Sequence, residues 1–246
     1  MPRSHRVLES ALSSISTPER EPYAHIGSSV TKMYKWGARK SGNSIQPLTP
    51  DPGYTTARSV VIPRFLSAVA NRPHQPVIVD LGPVIGSNLS LFSKRLSCKF
   101  YIQDLFADIE AYAQRRERAP ATNLADLLTS RFPQPPRSVD GILCWDLFDY
   151  LDPSTGRIFA SKLTELLKTG GMLHGLFSTT PTGVAHYTRF VLDTEDSLRH
   201  QPYPATPTRR SALATRDIHL LFGDLEVTDL VLLKSATRET LFRRRR

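Results

Sequence analysis

The chemistry-bearing residues cluster around one turn. Residues 76–92 read PVIVDLGPVIGSNLSLF. An apolar run ends in Asp80, a Gly82-Pro83 turn follows, and Gly86 precedes Leu89, Phe92 and Leu96 at helical spacing. A carboxylate that ends a buried apolar strand is costly without a partner, so Asp80 calls for a ligand or a structural donor. Further on, CKFYIQDL ends in a second acid, Asp104, 18 residues after Gly86. A carboxylate at such a strand end can accept from both hydroxyls of a ribose at once.

These residues need strands to carry them to one edge and helices to cover the strands. PVIVDLG has the length and continuous apolarity of a strand buried on both faces. SNLSLFSKRLS reads as a helix with Ser87 as a candidate N-cap, CKFYIQDL as a strand and FADIEAYAQRRERA as a helix. Residues 119–138 are open between a strand and a helix. VDGILCWDLFDYLD begins as a strand. PSTGRIFASKLTELLKTGG is a helix stopped by the glycine pair, MLHGLFST a strand. After a Pro-rich loop come a helix (RSALATRDIHLLFG) and two closely spaced strands, LEVTDLVLLK and RETLFRR. This alternation predicts an α/β fold: a doubly wound, mostly parallel seven-stranded sheet with an antiparallel C-terminal strand and helices on both faces. In ARSVVIPRFLSAVANR, Pro63 predicts a kink or a break between two helices. Residues 1–55 form an N-terminal extension, with a short helix near Val7–Ser14 and otherwise poor order, and 56–246 form the domain with a basic C-terminal tail.

In such sheets ligands bind beyond the carboxyl ends of the strands, and a helix N-terminus there favours an anionic group. A nicotinamide dinucleotide requires G-x-G-x-x-G for its pyrophosphate, and Gly82-Pro83-Val84-Ile85-Gly86 misses both the middle glycine and the spacing. S-adenosylmethionine has no phosphate and asks instead for an acid near the strand end and a second acid for its ribose, which Asp80 and Asp104 supply. In VIVDLGPVIGSN, YIQDL, VDGILCWDLFDYLDP, LLKTGGMLHGLF and the closing strand pair, the chain resembles a class I, Rossmann-like S-adenosylmethionine-dependent methyltransferase over about residues 75–243. The resemblance is to bacterial methyltransferase-like proteins with a DLGP-hydrophobic-hydrophobic-GSN turn. It implies that Asp80, Gly82 and Gly86 line the methionine end, that Asp104 holds the ribose, and that Trp145 and Asp146 lie near the cofactor. Val84 stands where the family has a glycine, so the turn takes another path or sits farther from the ligand, with Ser87 and Asn88 able to compensate by hydrogen-bonding the cofactor carboxylate. Asp126 is the candidate acid for the adenine.

Methyl transfer needs alignment of a nucleophile and, for some acceptors, a general base. Asp146, Asp149 and Tyr150 in WDLFDYLD, and His186 and Tyr187 after the fifth strand, are the candidates; His174 reads as a satisfied core histidine. WDLF is not an NPPY-type tetrad, which argues against amino methylation of bases or glutamine. No CxxC or His/Cys pair has metal-ligand spacing, and Cys98 and Cys144 read as buried free thiols. The chain of 246 residues carries a net charge of +9, four of it from Arg243–Arg246. An apolar run of membrane-spanning length and a secretory signal are both missing, so a cytoplasmic protein is expected. The alternative function is a non-catalytic methyltransferase-like module that binds RNA, protein or lipid through basic termini, including the segment VTKMYKWGARKSG.

Overall fold

The computed structural model describes residues 54–115, 123–181, 186–204 and 211–245. The anticipated helix near Val7–Ser14 and the basic aromatic segment 30–42 lie outside them.

Six strands form the central sheet, in the order β3-β2-β4-β5-β9-β8. They are β2 (Val77–Asp80), β3 (Lys99–Ile102), β4 (Val139–Leu143), β5 (Leu167–Ser178), β8 (Leu225–Leu233) and β9 (Thr237–Arg244). The first four run parallel, and β9 and β8 close the sheet as an antiparallel pair beside β5. Helices α1 (Val61–Ala70) and α2 (Gly86–Arg95) cover one face. Helices α3 (Leu105–Arg115), α4 (Leu124–Thr129), α5 (Pro153–Leu166) and α6 (Thr215–Leu221) lie on the other. The doubly wound α/β reading therefore holds.

The strand count does not. Among the described residues the sheet has six strands, not seven, because the undecided stretch at 119–138 supplies α4. Its Asn123 side chain accepts from the Ala125 N–H, an N-cap, and Leu124, Ala125 and Leu128 are buried at helical spacing. The edge therefore stays at β3.

Three local expectations also change. Pro63 falls in the first turn of a single helix, where its missing N–H costs nothing. Helix α5 ends at Leu166, before the glycine pair. Gly170, at φ +70, and Gly171 instead lie within β5, beside an irregularity in its pairing with β4. The arginine tail is partly strand: Arg243 pairs with Glu226, and Arg244 donates to the carbonyls of Glu165 and Leu167 at the end of α5.

A second sheet stands where a Pro-rich loop was expected. It is three-stranded, in the order β1-β7-β6, and wholly antiparallel. Its strands are β1 (Thr55–Arg58), β6 (His186–Leu192) and β7 (Ser197–Pro204). Phe190, Leu192 and Leu198 point into the core shared with α1 and α2. Asn88 fastens this sheet to α2: its amide donates to the Phe190 carbonyl at 2.8 Å and accepts from the Leu192 N–H at 2.8 Å.

Candidate cofactor crevice

Asp80 ends β2 and is only 3 % exposed. Its Oδ1 accepts two hydrogen bonds, from the Gly82 N–H at 2.9 Å and from the Trp145 indole N–H at 2.6 Å. Burial pushes its pKa up to about 6 against these two donors, and the charge of Asp104 pushes the same way. The two acids therefore sense each other, as expected of carboxylates at the ends of paired parallel strands.

The β2–α2 turn and the end of β3 are stitched together. Gln103 N–H donates to the Asp80 carbonyl at 2.8 Å, and Leu105 N–H to the Leu81 carbonyl at 3.1 Å. Asp104 lies between these two bonds at φ +41, a conformation that Asp tolerates better than most residues. Its carboxylate accepts from the Ala107 N–H, so it caps α3, and burial raises its pKa against the opposing pull of Arg189 and Arg131. An ionised carboxylate has about four acceptor sites, so this cap leaves capacity for a ligand.

The glycines play parts that spacing does not reveal. Among the described residues neither Gly82 nor Val84 has positive φ, and Val84 is exposed, so the turn follows a path without left-handed backbone there. Gly82 is needed for space: a Cβ there would lie 2.7 Å from two atoms of the Trp145 ring. A Cβ at Gly86 would meet nothing within 4 Å. Gly82→Ala is therefore expected to cost about 2 kcal/mol by overpacking. Chemical denaturation reads the loss, and an unchanged midpoint would contradict the contact.

Gly86 is the first residue of α2. The N-cap of the helix is Ile85, which makes no side-chain cap, and the first helical bond is Leu89 N–H to the Ile85 carbonyl. The N–H groups of the first turn are thus available to an anionic group.

Trp145 follows β4 at φ +51 and is buried. Its ring lies parallel to Phe190 at 5.7 Å and edge-on to His174 at 5.6 Å. His174 is buried with a partner, as expected, since its Nε2 is 3.0 Å from Glu239 Oε1. Beyond Trp145 the candidates divide. Asp146 is buried and accepts from the Tyr150 hydroxyl at 3.3 Å. Tyr187 packs edge-on against Tyr150 at 4.7 Å and Phe106 at 5.3 Å. Asp149 is engaged elsewhere: both oxygens accept from the Ser178 N–H, at 3.0 and 3.3 Å, and hold the end of β5. Ser87 sits in the first turn of α2, Asn88 is committed to its clamp, and Asp126 lies in the first turn of α4. His186 opens β6, paired in register with Pro204.

Arg189 and Phe190 were missed by sequence reasoning. The alternation of Thr188, Phe190 and Leu192 with Tyr187, Arg189 and Val191 is the signal that marks a strand there. Both thiols are free, with Cys144 buried and Cys98 partly so. Among the described residues there is no cluster of His, Cys, Asp and Glu able to hold a metal, and no helix long and apolar enough to cross a membrane.

No family model matches the chain, and no curated protein matches it. Solved structures do resemble it. A S-adenosylmethionine-dependent methyltransferase from Methanosarcina mazei aligns at 13 % identity and TM-score 0.47, over 76 % of this chain and 98 % of that one. The 1,6-didemethyltoxoflavin-N1-methyltransferase of Burkholderia thailandensis, crystallised with 1,6-didemethyltoxoflavin and S-adenosylhomocysteine, aligns at 14 % and 0.43, over 76 % and 79 %. The [4+2]-cyclase SpnF aligns at 11 % and 0.46, over 75 % and 80 %. Likenesses this distant leave the cofactor and the reaction to be argued from the crevice itself.

Proposed function

We propose that the protein binds S-adenosylmethionine in this crevice and transfers its methyl group to an acceptor. The observation that carries the reading is the placement of Asp104: a half-buried carboxylate just past the end of β3, the strand paired with β2, where it feels the charges of Arg189 and Arg131 and raises the pKa of Asp80. The donor set fits the cofactor. Asp104 would accept from the ribose hydroxyls, the first-turn N–H groups of α2 would meet the carboxylate, and Asp80 would meet the ammonium. When bound, the cofactor supplies an electrophilic methyl on a sulfonium. This chain's part is to hold it in line with a nucleophile and to keep water out, which the small sheet, clamped by Asn88, is built to do. On the acceptor side Asp146, bonded to Tyr150 against which Tyr187 packs, is the group we assign to hold or take a proton.

Asp104→Asn is the test. Asparagine keeps the shape and tolerates positive φ, but it loses the charge and one acceptor for the diol. Affinity for S-adenosylhomocysteine by calorimetry is expected to fall by about 100-fold or 2.7 kcal/mol. Equal affinity in the variant would contradict the assignment. One observation favours a second reading, a methyltransferase-like module that binds a partner without turnover: Trp145 already fills the turn at Gly82. Cofactor binding without any methyl transfer would select it.

A further inference from the structure

The Trp145 indole faces two ways: it lies edge-on to His174 on the core side and meets the Asp80–Gly82 turn on the other. Its N–H is bonded to Asp80, its face lies on Phe190, and its Cδ1 and Nε1 occupy the space over Gly82. Trp145 belongs to the core under α1 and α2, and packing there does not require the contacts with the turn. A core tryptophan would not ordinarily sit at positive φ, which bulky residues rarely adopt, nor spend its one donor on the carboxylate at a strand end.

We propose that Trp145 is an autoinhibitory plug, whose indole closes the methionine end of the crevice and leaves when that end of the cofactor enters. The inference rests on the S-adenosylmethionine reading above. The exchange conserves hydrogen bonds: Asp80 Oδ1 loses the indole N–H and gains an ammonium N–H of the ligand. Without ligand, the indole gives the buried carboxylate the donor it requires. Phe190 stays in place as the ring moves, because the Asn88 clamp holds β6 at both Phe190 and Leu192. The small sheet is therefore a fixed wall, and the moving part is one side chain on a strained residue. Closure lowers the apparent affinity by the fraction of molecules that are open.

The plug acts on the amino-acid end of the ligand alone, and this makes it testable. In Trp145→Ala, affinity for S-adenosylhomocysteine should rise by about tenfold, while affinity for 5′-methylthioadenosine, which lacks that end, stays as it was. Trp145→Phe keeps the ring and loses the donor to Asp80, and should fall between. Should the alanine variant not fold, the chain itself answers. In a Trp36→Phe background, Trp145 is the one tryptophan, and saturating S-adenosylhomocysteine should shift its emission to the red. An unshifted emission, or equal gains for the two ligands, overturns the plug and leaves the cofactor site standing. Absence of S-adenosylhomocysteine binding by any folded variant overturns both.

Discussion

Replacing Asp80 by asparagine is expected to stabilise the protein at neutral pH and to leave it unchanged in acid. Asp80 is held ionised in a buried place, and its pKa stands at about 6 rather than the ordinary 3.8. Between those values the folded chain binds more protons than the unfolded one, so stability falls as pH rises through the window. Above it the cost is complete, about 3 kcal/mol from the size of the shift. Asparagine removes the charge yet keeps an oxygen for the Gly82 and Trp145 donors. Urea denaturation at about pH 4 and pH 7.5 should show the two proteins converging in acid and the variant ahead by about 3 kcal/mol at the higher pH. A variant weaker than the parent at neutral pH would show that the ionised form is the stabilised one.

The opposite sign is expected at the other end of the sheet. Asp140, in β4, has a fully buried side chain ringed by donors. Lys168 Nζ lies at 2.8 Å, the Val77 N–H at 2.9 Å, His74 Nε2 at 3.0 Å and Arg72 Nε at 3.7 Å. Burial opposes its ionisation, but the Lys168, Val77 and His74 bonds together outweigh it and hold the pKa below the ordinary value. A lowered carboxyl pKa gives stability that is complete above the unfolded value near 3.8 and is lost as pH falls below it. Asp140→Ala strands the Val77 N–H and two cations, and should cost about 3 kcal/mol at neutral pH. Asp140→Asn, which still accepts from Val77, should recover part. The gap between parent and alanine variant should narrow below about pH 3; a gap that persists there would mean packing, not charge, sets the cost.

Much of this was legible in the sequence because it rests on local pattern. The continuous apolar run into Asp80 and the run into Asp104 mark buried parallel strands, and the closing strand pair is visible from its spacing. What escaped rests on distance. Nothing near Asp80 and Gly82 says that Trp145, 65 residues on from Asp80, fills the space over the glycine. The glycine therefore reads as room for a ligand when it is room for an indole. Asn88 stands where a helix first turn meets an anion, but its amide reaches strand β6, about a hundred positions away. The missing seventh strand is a cap effect: Asn123 gives α4 a start that the short apolar run alone does not declare. The small sheet was hidden by the prolines at its far end, although Phe190 and Leu192 alternate as a strand requires.

The most direct test of the account is hydrogen exchange of the whole chain with and without saturating S-adenosylhomocysteine, because it reads binding and place together. Slowed exchange is expected in Asp80–Asn88 and Gln103–Leu105, the turn, the first turn of α2 and the loop that carries Asp104. Exchange unchanged throughout, or slowed only in the arginine-lined groove formed by Arg64, Arg72 and Arg243 at the opposite end of the sheet, would contradict it.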